Sequence, residues 1–256
     1  MNPVLEDGVL LAPIAEVIFA RTGGADALAT KFPAVVREAV DYVIDPVRTA
    51  RTSVADLDNV EKTFIGLKVE HFVRDLLDVP KGVRDLAIDG VNVDVKNTVG
   101  KTWMIPHETY SERGICLLIR IDDSARRCWL GLIVARDEYL GAANRDRKRS
   151  VSATGRRYVR WLLEAADFGD SEWRGLDMAR FRELRSLHPG VVRAATFFEE
   201  NLGRLVSRRV VQALLHDQKD PMKRLRGNGG AKDILEPQGI ELTIHSDGSC
   251  VAARRR

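Results

Sequence analysis

The chain is poor in cysteine, in aromatic residues and in long apolar runs. Its three cysteines, Cys116, Cys128 and Cys250, are widely spaced and odd in number. They form no C-x-x-C pair and no zinc-type set, which argues against a disulfide scaffold and fits a reducing cytoplasm. No apolar run approaches the roughly 18 residues needed to span a bilayer. Val9 to Ala20 is interrupted by Pro13 and Glu16 and lacks a preceding basic segment, so a secretory signal is not expected. An excess of one charge sign is also missing, with 40 Lys and Arg against 37 Asp and Glu in 256 residues. Aromatic content is only 6%, yet four Trp, eight Phe and 45% hydrophobic residues are enough to build a core, so the composition argues against a disordered chain. There is no internal repeat and no low-complexity segment.

The distribution of charge says more than its total. Asn144 to Arg160 carries seven Lys or Arg against one acid, and Arg204 to Lys232 carries eight against two. Two basic patches on a near-neutral chain suggest a polyanionic partner, although a solvated surface explains them equally well on charge alone.

Helical periodicity is expected over 4–20, 25–47 and about 58–77. Asp45-Pro46 ends or kinks the second helix. In the third, Val60, Phe64, Leu67, Phe72 and Leu76 form an apolar stripe. The period then changes. Asp85 to Ile88 reads as a short strand, and Asp89-Gly90 is a hairpin turn. Val91 to Lys96 alternates strictly, and Ile115–Ile121 and Cys128–Ala135 are apolar enough to be central strands. Helices are expected again near 153–166, 176–187 and 191–216, followed by a small hairpin at Ile240–Ile244 and Ser249–Ala253. The pattern divides the chain at about residue 165. Residues 1–165 read as an α/β domain with a sheet flanked by helices. Residues 166–256 read as a mainly helical domain with a terminal β-wing, compatible with a winged helix.

Chemistry shows on strand 91–96. Alternation puts Val91, Val93 and Val95 on one face and Asn92, Asp94 and Lys96 on the other, with Asp94 and Lys96 roughly 7 Å apart. Asp85 lies across the hairpin, and Glu70 joins the group if its helix packs against the hairpin. Clustered carboxylates repel, and each holds its proton more tightly unless a cation neutralises them. A hard divalent ion such as Mg²⁺ does so with oxygen ligands. Phosphodiester hydrolysis needs acceleration on the order of 23 kcal/mol or more. One general base supplies about 10²–10⁴-fold, so charge stabilisation by a metal must supply much of the rest. The tripeptide D-x-K alone is a weak signal. It recurs at Asp146-Arg147-Lys148 and Asp217-Gln218-Lys219, and only Asp94-Val95-Lys96 sits in an alternating strand with a second acid nine residues upstream. A solvated edge strand with a surface ion pair remains the simpler alternative on spacing alone.

An acid followed by D-x-K on a strand resembles the PD-(D/E)xK nuclease superfamily. The likeness is closer to the NaeI-type type II restriction endonuclease family. It runs through Glu61-Lys62-Thr63, Gly66 to Glu70, Asp89 to Lys96, Trp103-Met104-Ile105-Pro106, Gly141 to Arg149 and Met222 to Ala231, in order from about residue 40 to 245. The resemblance implies a restriction-endonuclease-like mixed sheet flanked by helices, followed by a winged-helix-like (CAP-like) DNA-binding domain. It implies Mg²⁺-dependent cleavage of double-stranded DNA at a short palindrome by a homodimer, with stimulation by a second DNA copy. The family's catalytic residues fall on Glu70, Asp85, Asp94 and Lys96. Glu70, Asp85, Asp94 and the backbone carbonyl of Val95 are the implied metal ligands. Val95 stands where the family has a cysteine, a change that a backbone contact tolerates.

Residues 167–195 match poorly and the chain ends soon after its last hairpin, so a second DNA site is expected to be smaller or altered. Asn144, Arg145, Lys148 and Arg149 are candidate DNA contacts, as are Lys223, Arg224 and Arg226 ahead of the Gly227–Gly230 run, where glycines let backbone N–H groups approach phosphate. His71, His107, Trp103 and Met104 read as structural. The rival functions are a repair or mobile-element nuclease and a non-catalytic DNA-binding regulator.

Overall fold

A computed structural model describes residues 3–255. The chain opens with α1 (Pro3–Thr22), α2 (Ala25–Ile44) and the single turn α3 (Pro46–Thr49), and continues with α4 (Asn59–Leu77). Next come β1 (Leu86–Ile88), β2 (Val91–Thr98), β3 (Met104–Ile105), the short helix α5 (His107–Tyr110), β4 (Ile115–Asp122) and β5 (Arg127–Val134). After these follow β6 (Leu140–Ala143), β7 (Arg149–Val151) and β8 (Arg160–Asp167). The remainder contains α6 (Met178–Leu184), α7 (Gly190–Glu200), α8 (Arg208–Leu214), α9 (Ala231–Leu235), β9 (Ile240–Ile244) and β10 (Cys250–Arg254). Two compact units result. One comprises the chain up to Ile44 with Ser53–Asp170, the other Asp45–Thr52 with Ser171–Arg256. Among the described residues, no helix is long and apolar enough to cross a membrane.

The first unit is a mixed α/β structure. Its five-stranded sheet has the order β1-β2-β4-β5-β8, with β2 and β4 parallel and the other pairs antiparallel. Ile115 to Ile119 of β4 are all buried, as a strand covered on both faces requires. Leu117 and Ile119 face a core built with Leu28, Phe32, Val36, Ile65 and Val69 of the helices. Cys116 and Leu118 face a second core with Trp103, Ile105 and Tyr139. The period of two therefore assigns each β4 side chain to one of two cores.

Three expectations are corrected. On α4 the buried stripe is Ile65, Val69, Val73 and Leu77; of the expected stripe, Val60, Phe64 and Leu67 are exposed, while Phe72 and Leu76 are partly buried against the core. Two apolar stripes compete on this helix, and the one spaced by four residues throughout meets the core. The segment 153–166 is not a helix but a 3-10 turn at Gly155–Tyr158 followed by β8. Pairing with β5, with an irregular register, overrides the helical preference of Leu162 to Ala166. The helix expected over 191–216 breaks into α7 and α8, because Gly203 takes a left-handed φ of 75° and the Ser207 hydroxyl caps α8 by accepting from the Val210 N–H.

A buried polar network ties α1 to the segment that follows β5. Asp7 accepts from Arg136 Nε and from the Tyr139 hydroxyl, each at 2.7 Å, while the more exposed Glu6 accepts from Arg136 Nη2 at 2.8 Å. Burial and the Asp7 carboxylate push the Tyr139 hydroxyl well up, so it stays a donor. Removing Asp7 leaves a buried guanidinium short of its partner. Asp7→Ala should lower unfolding free energy in urea by about 3–5 kcal/mol. Glu6→Ala should change it by less than about 1 kcal/mol. Equal effects from the two substitutions would remove the network as a stabilising feature.

Candidate active site

The β1–β2 hairpin places the acids. Asp89 and Gly90 both take positive φ, 47° and 79°, as a two-residue primed turn demands. That turn sets the register Ile88↔Val91 and Leu86↔Val93. Asp85, one residue beyond the last pair, accepts a hydrogen bond from the Val95 N–H at 2.7 Å. From β2, Asp94 and Lys96 project to the face of Cys116, while Val93 and Val95 enter the helix-side core. The Lys96 ammonium contacts Asp94 Oδ1 and lies 3.9 Å from Asp85 Oδ2. Asp94 is 4% exposed, and its Oδ2 accepts from the buried hydroxyl of Thr109.

Electrostatics separate the two aspartates. Burial, the adjacent Asp94 and the charge of Glu70 push Asp85 up to about 6, against the Val95 N–H and Lys96. Burial acts in the same direction on Asp94, but hydrogen bonds from Asp85, Lys96 and Thr109 outweigh it and hold Asp94 below the usual carboxylate range. In mildly acidic solution the pair thus shares a proton carried mainly by Asp85. Cys116, across from Asp94 on β4, is pushed well up by burial and by that carboxylate and stays a neutral thiol.

Three of the four expected catalytic side chains therefore meet. Glu70 stands apart. It lines a cleft of about 520 Å³ with Lys62, Gly66, Val95 and Asn97, pairs with Arg74 at 3.8 Å, and acts on Asp85 through its charge. Among the described residues, no three His, Cys, Asp or Glu side chains are gathered as a ready-made metal site. Asp85 and Asp94 nonetheless present oxygen donors of like charge, and the cation now lying against them is Lys96. Such a donor set fits a hard divalent ion.

The basic candidates divide. Asn144 closes the turn between β6 and β7 by accepting from the N–H groups of Asp146 and Lys148 at 3.0 and 2.8 Å. Arg145 and Lys148 are exposed there. Arg149 is held by the Gly141 and Leu140 carbonyls and the Asp137 carboxylate, and its guanidinium lies over Tyr110. In the second unit Lys223, Arg224 and Arg226 are exposed around the buried Leu225. Gly230, which follows them, is required: a Cβ there would lie 1.9 Å from the Arg226 carbonyl oxygen. His71 is exposed, Trp103 is core and donates to the Ile119 carbonyl at 2.8 Å, and Met104, read as structural, is 38% exposed. Sequence reasoning missed Thr109. It lies in a four-residue helix after Pro106, with no motif to mark it.

Two comparisons with known proteins bear on this site. The family model for restriction endonuclease NaeI matches residues 18–255. The type II restriction enzyme NaeI of Lentzea aerocolonigenes is 34% identical over 224 residues, which cover 83% of this chain and 69% of that protein. With matched residues running across both compact units, the chain belongs to the NaeI restriction endonuclease family.

Proposed function

We propose that the protein is a type II site-specific deoxyribonuclease that hydrolyses phosphodiester bonds of double-stranded DNA at a short palindrome with Mg²⁺. The observation that carries this reading is the meeting of Asp85, Asp94 and Lys96 at one end of the β1–β2 hairpin. Asp85, Asp94 and the Val95 carbonyl would hold the ion, with Glu70 supplying further negative charge from α4. Bound there, the ion would offset the charge that builds on the phosphate as it is attacked. Lys96 is a donor-only group on a flexible stem. It orients the attacking water and faces the same developing charge. Asp94, kept ionised by three donors, holds the lysine in place.

The second unit is read as a winged-helix-like DNA-binding domain, and the first as the endonuclease domain. Supporting this, α7, a bridge at Val206, α8, α9, β9 and β10 follow the order helix, strand, helix, helix, strand, strand, and Val206 pairs with Cys250 beside the β9–β10 ladder. Lys223, Arg224 and Arg226 precede α9, where phosphate contacts would add affinity. A homodimer follows from the symmetry of a palindromic site cut on both strands. Stimulation by a second DNA copy would fall to the same unit.

Plasmid DNA incubated with the protein and Mg²⁺ should give discrete fragments. A smear would point to a non-specific or repair nuclease, and binding without cutting to a regulator. Asp94→Ala should abolish cleavage while preserving DNA binding, and Lys96→Ala should lower kcat by about 10²–10⁴-fold. Cleavage by Asp94→Ala at the parent rate would remove that residue from the mechanism.

The aspartate pair also sets a pH dependence. Asp85 rises from 3.8 unfolded to about 6 folded, so its contribution to stability is full below 3.8 and is lost as pH rises through about 6. Asp94 is shifted down and contributes in the opposite sense, above its unfolded value. Between these limits the Asp85 effect dominates. Without metal, stability should therefore fall through this window. The thermal shift produced by Mg²⁺ should be larger near about pH 7.5 than near about pH 5, and Asp85→Asn should flatten the metal-free profile. An identical Mg²⁺ shift at both pH values would contradict the assignment.

A further inference from the structure

Thr109 is fully buried, and its hydroxyl donates to Asp94 Oδ2. A threonine within a helix commonly returns its hydroxyl to a carbonyl three or four residues back. Thr109 sends it across to β2 instead. Its helix, α5, has only four residues and is too short to hold itself. Three hydrogen bonds hold it from outside. The Gly114 N–H donates to the Thr109 carbonyl at 2.8 Å, Arg84 Nη2 donates to the Glu108 carbonyl at 2.8 Å, and the Tyr110 hydroxyl donates to the Arg147 carbonyl at 3.0 Å. The donor is thus anchored independently of the acid it serves. Lys96 engages Oδ1 and Thr109 engages Oδ2, so rotation of the carboxylate is restrained at both oxygens.

We propose that Thr109 is a positioning residue for DNA cleavage: by holding Oδ2 it leaves Oδ1 of Asp94, the oxygen facing Lys96, presented to a divalent cation. This role rests on the nuclease reading above. Tyr110 adds a connection, because the helix that holds Asp94 is pinned to the turn bearing Arg145 and Lys148. Contact of DNA with that turn and the aim of the carboxylate are fixed by one element.

The test uses Thr109→Val, which keeps the shape and removes the donor, and Thr109→Ser, which keeps the donor. Steady-state cleavage of plasmid DNA across a Mg²⁺ series gives kcat, KM and the metal midpoint. A Ca²⁺ titration followed by thermal shift, without DNA, gives cation affinity independently of activity. Thr109→Val should lower kcat and raise both metal midpoints, each by about 10–100-fold, the range for loss of a residue that orients a metal ligand. KM for DNA should not change, and Thr109→Ser should behave close to the parent. If Thr109→Val does not fold, Thr109→Ala takes its place with the same expectation. Parent-like kcat and metal midpoints in Thr109→Val overturn the proposal. So does a Thr109→Ser protein as impaired as Thr109→Val, since the loss would then come from packing. A parent protein that cuts no DNA defeats the nuclease reading itself. A parent that cuts, an inactive Asp94→Ala and an unimpaired Thr109→Val defeat only the role of Thr109.

Discussion

Two carboxylates held close together in a partly buried place define the requirements of the first unit. Asp85 and Asp94 would separate or take up a shared proton if left alone. The hairpin prevents separation, because its two-residue turn fixes the register, and the parallel pairing of β2 with β4 fixes the strand that carries Asp94. Burial, Asp94 and the charge of Glu70 then raise the proton affinity of Asp85, while hydrogen bonds from Asp85, Lys96 and Thr109 keep Asp94 ionised. Charge that the fold itself leaves uncompensated is charge that a ligand can neutralise.

Much of this was legible in sequence. Strict alternation over Val91 to Lys96 located the strand that carries Asp94 and Lys96, and Asp89-Gly90 located the turn that returns Asp85 to it. Both signals are local, set by backbone geometry within a dozen residues. Glu70 was harder, because its placement depends on how α4 packs. The sequence offered two apolar stripes on that helix, and of the expected one Val60, Phe64 and Leu67 lie at the surface while Phe72 and Leu76 pack against the core. Thr109 was invisible for a related reason. A hydroxyl becomes part of a site only through a contact fifteen residues away in sequence, and nothing in its neighbours anticipates that contact. β8 escaped because its residues favour helix in isolation and become a strand only beside β5.

Cationic residues close in sequence also prove to have unequal duties. Arg149 and Arg145 lie four positions apart in the same basic block, yet Arg149 is bound by carbonyls and a carboxylate of its own unit, whereas Arg145 is exposed. Arg193 in the second unit is fully buried against Asp217 and the Leu214 carbonyl. A count of basic residues therefore overstates the charge available to a polyanion. What attracts DNA is the subset whose guanidinium or ammonium groups remain solvated and can exchange water and counterions for phosphate.

The middle position of D-x-K shows how side-chain and backbone duties are separated. Asp94 and Lys96 face the site because they are two residues apart on a strand, which obliges residue 95 to face the opposite way. Val95 accordingly packs into the helix-side core, 7% exposed. Its main chain still serves the site, since the N–H that holds Asp85 belongs to Val95. Selection at this position acts on the side chain through packing and on the site only through the peptide group. An apolar residue that fills the same core volume can stand there without disturbing the acids, whereas moving either neighbour by one position would turn a carboxylate or an ammonium into the hydrophobic core.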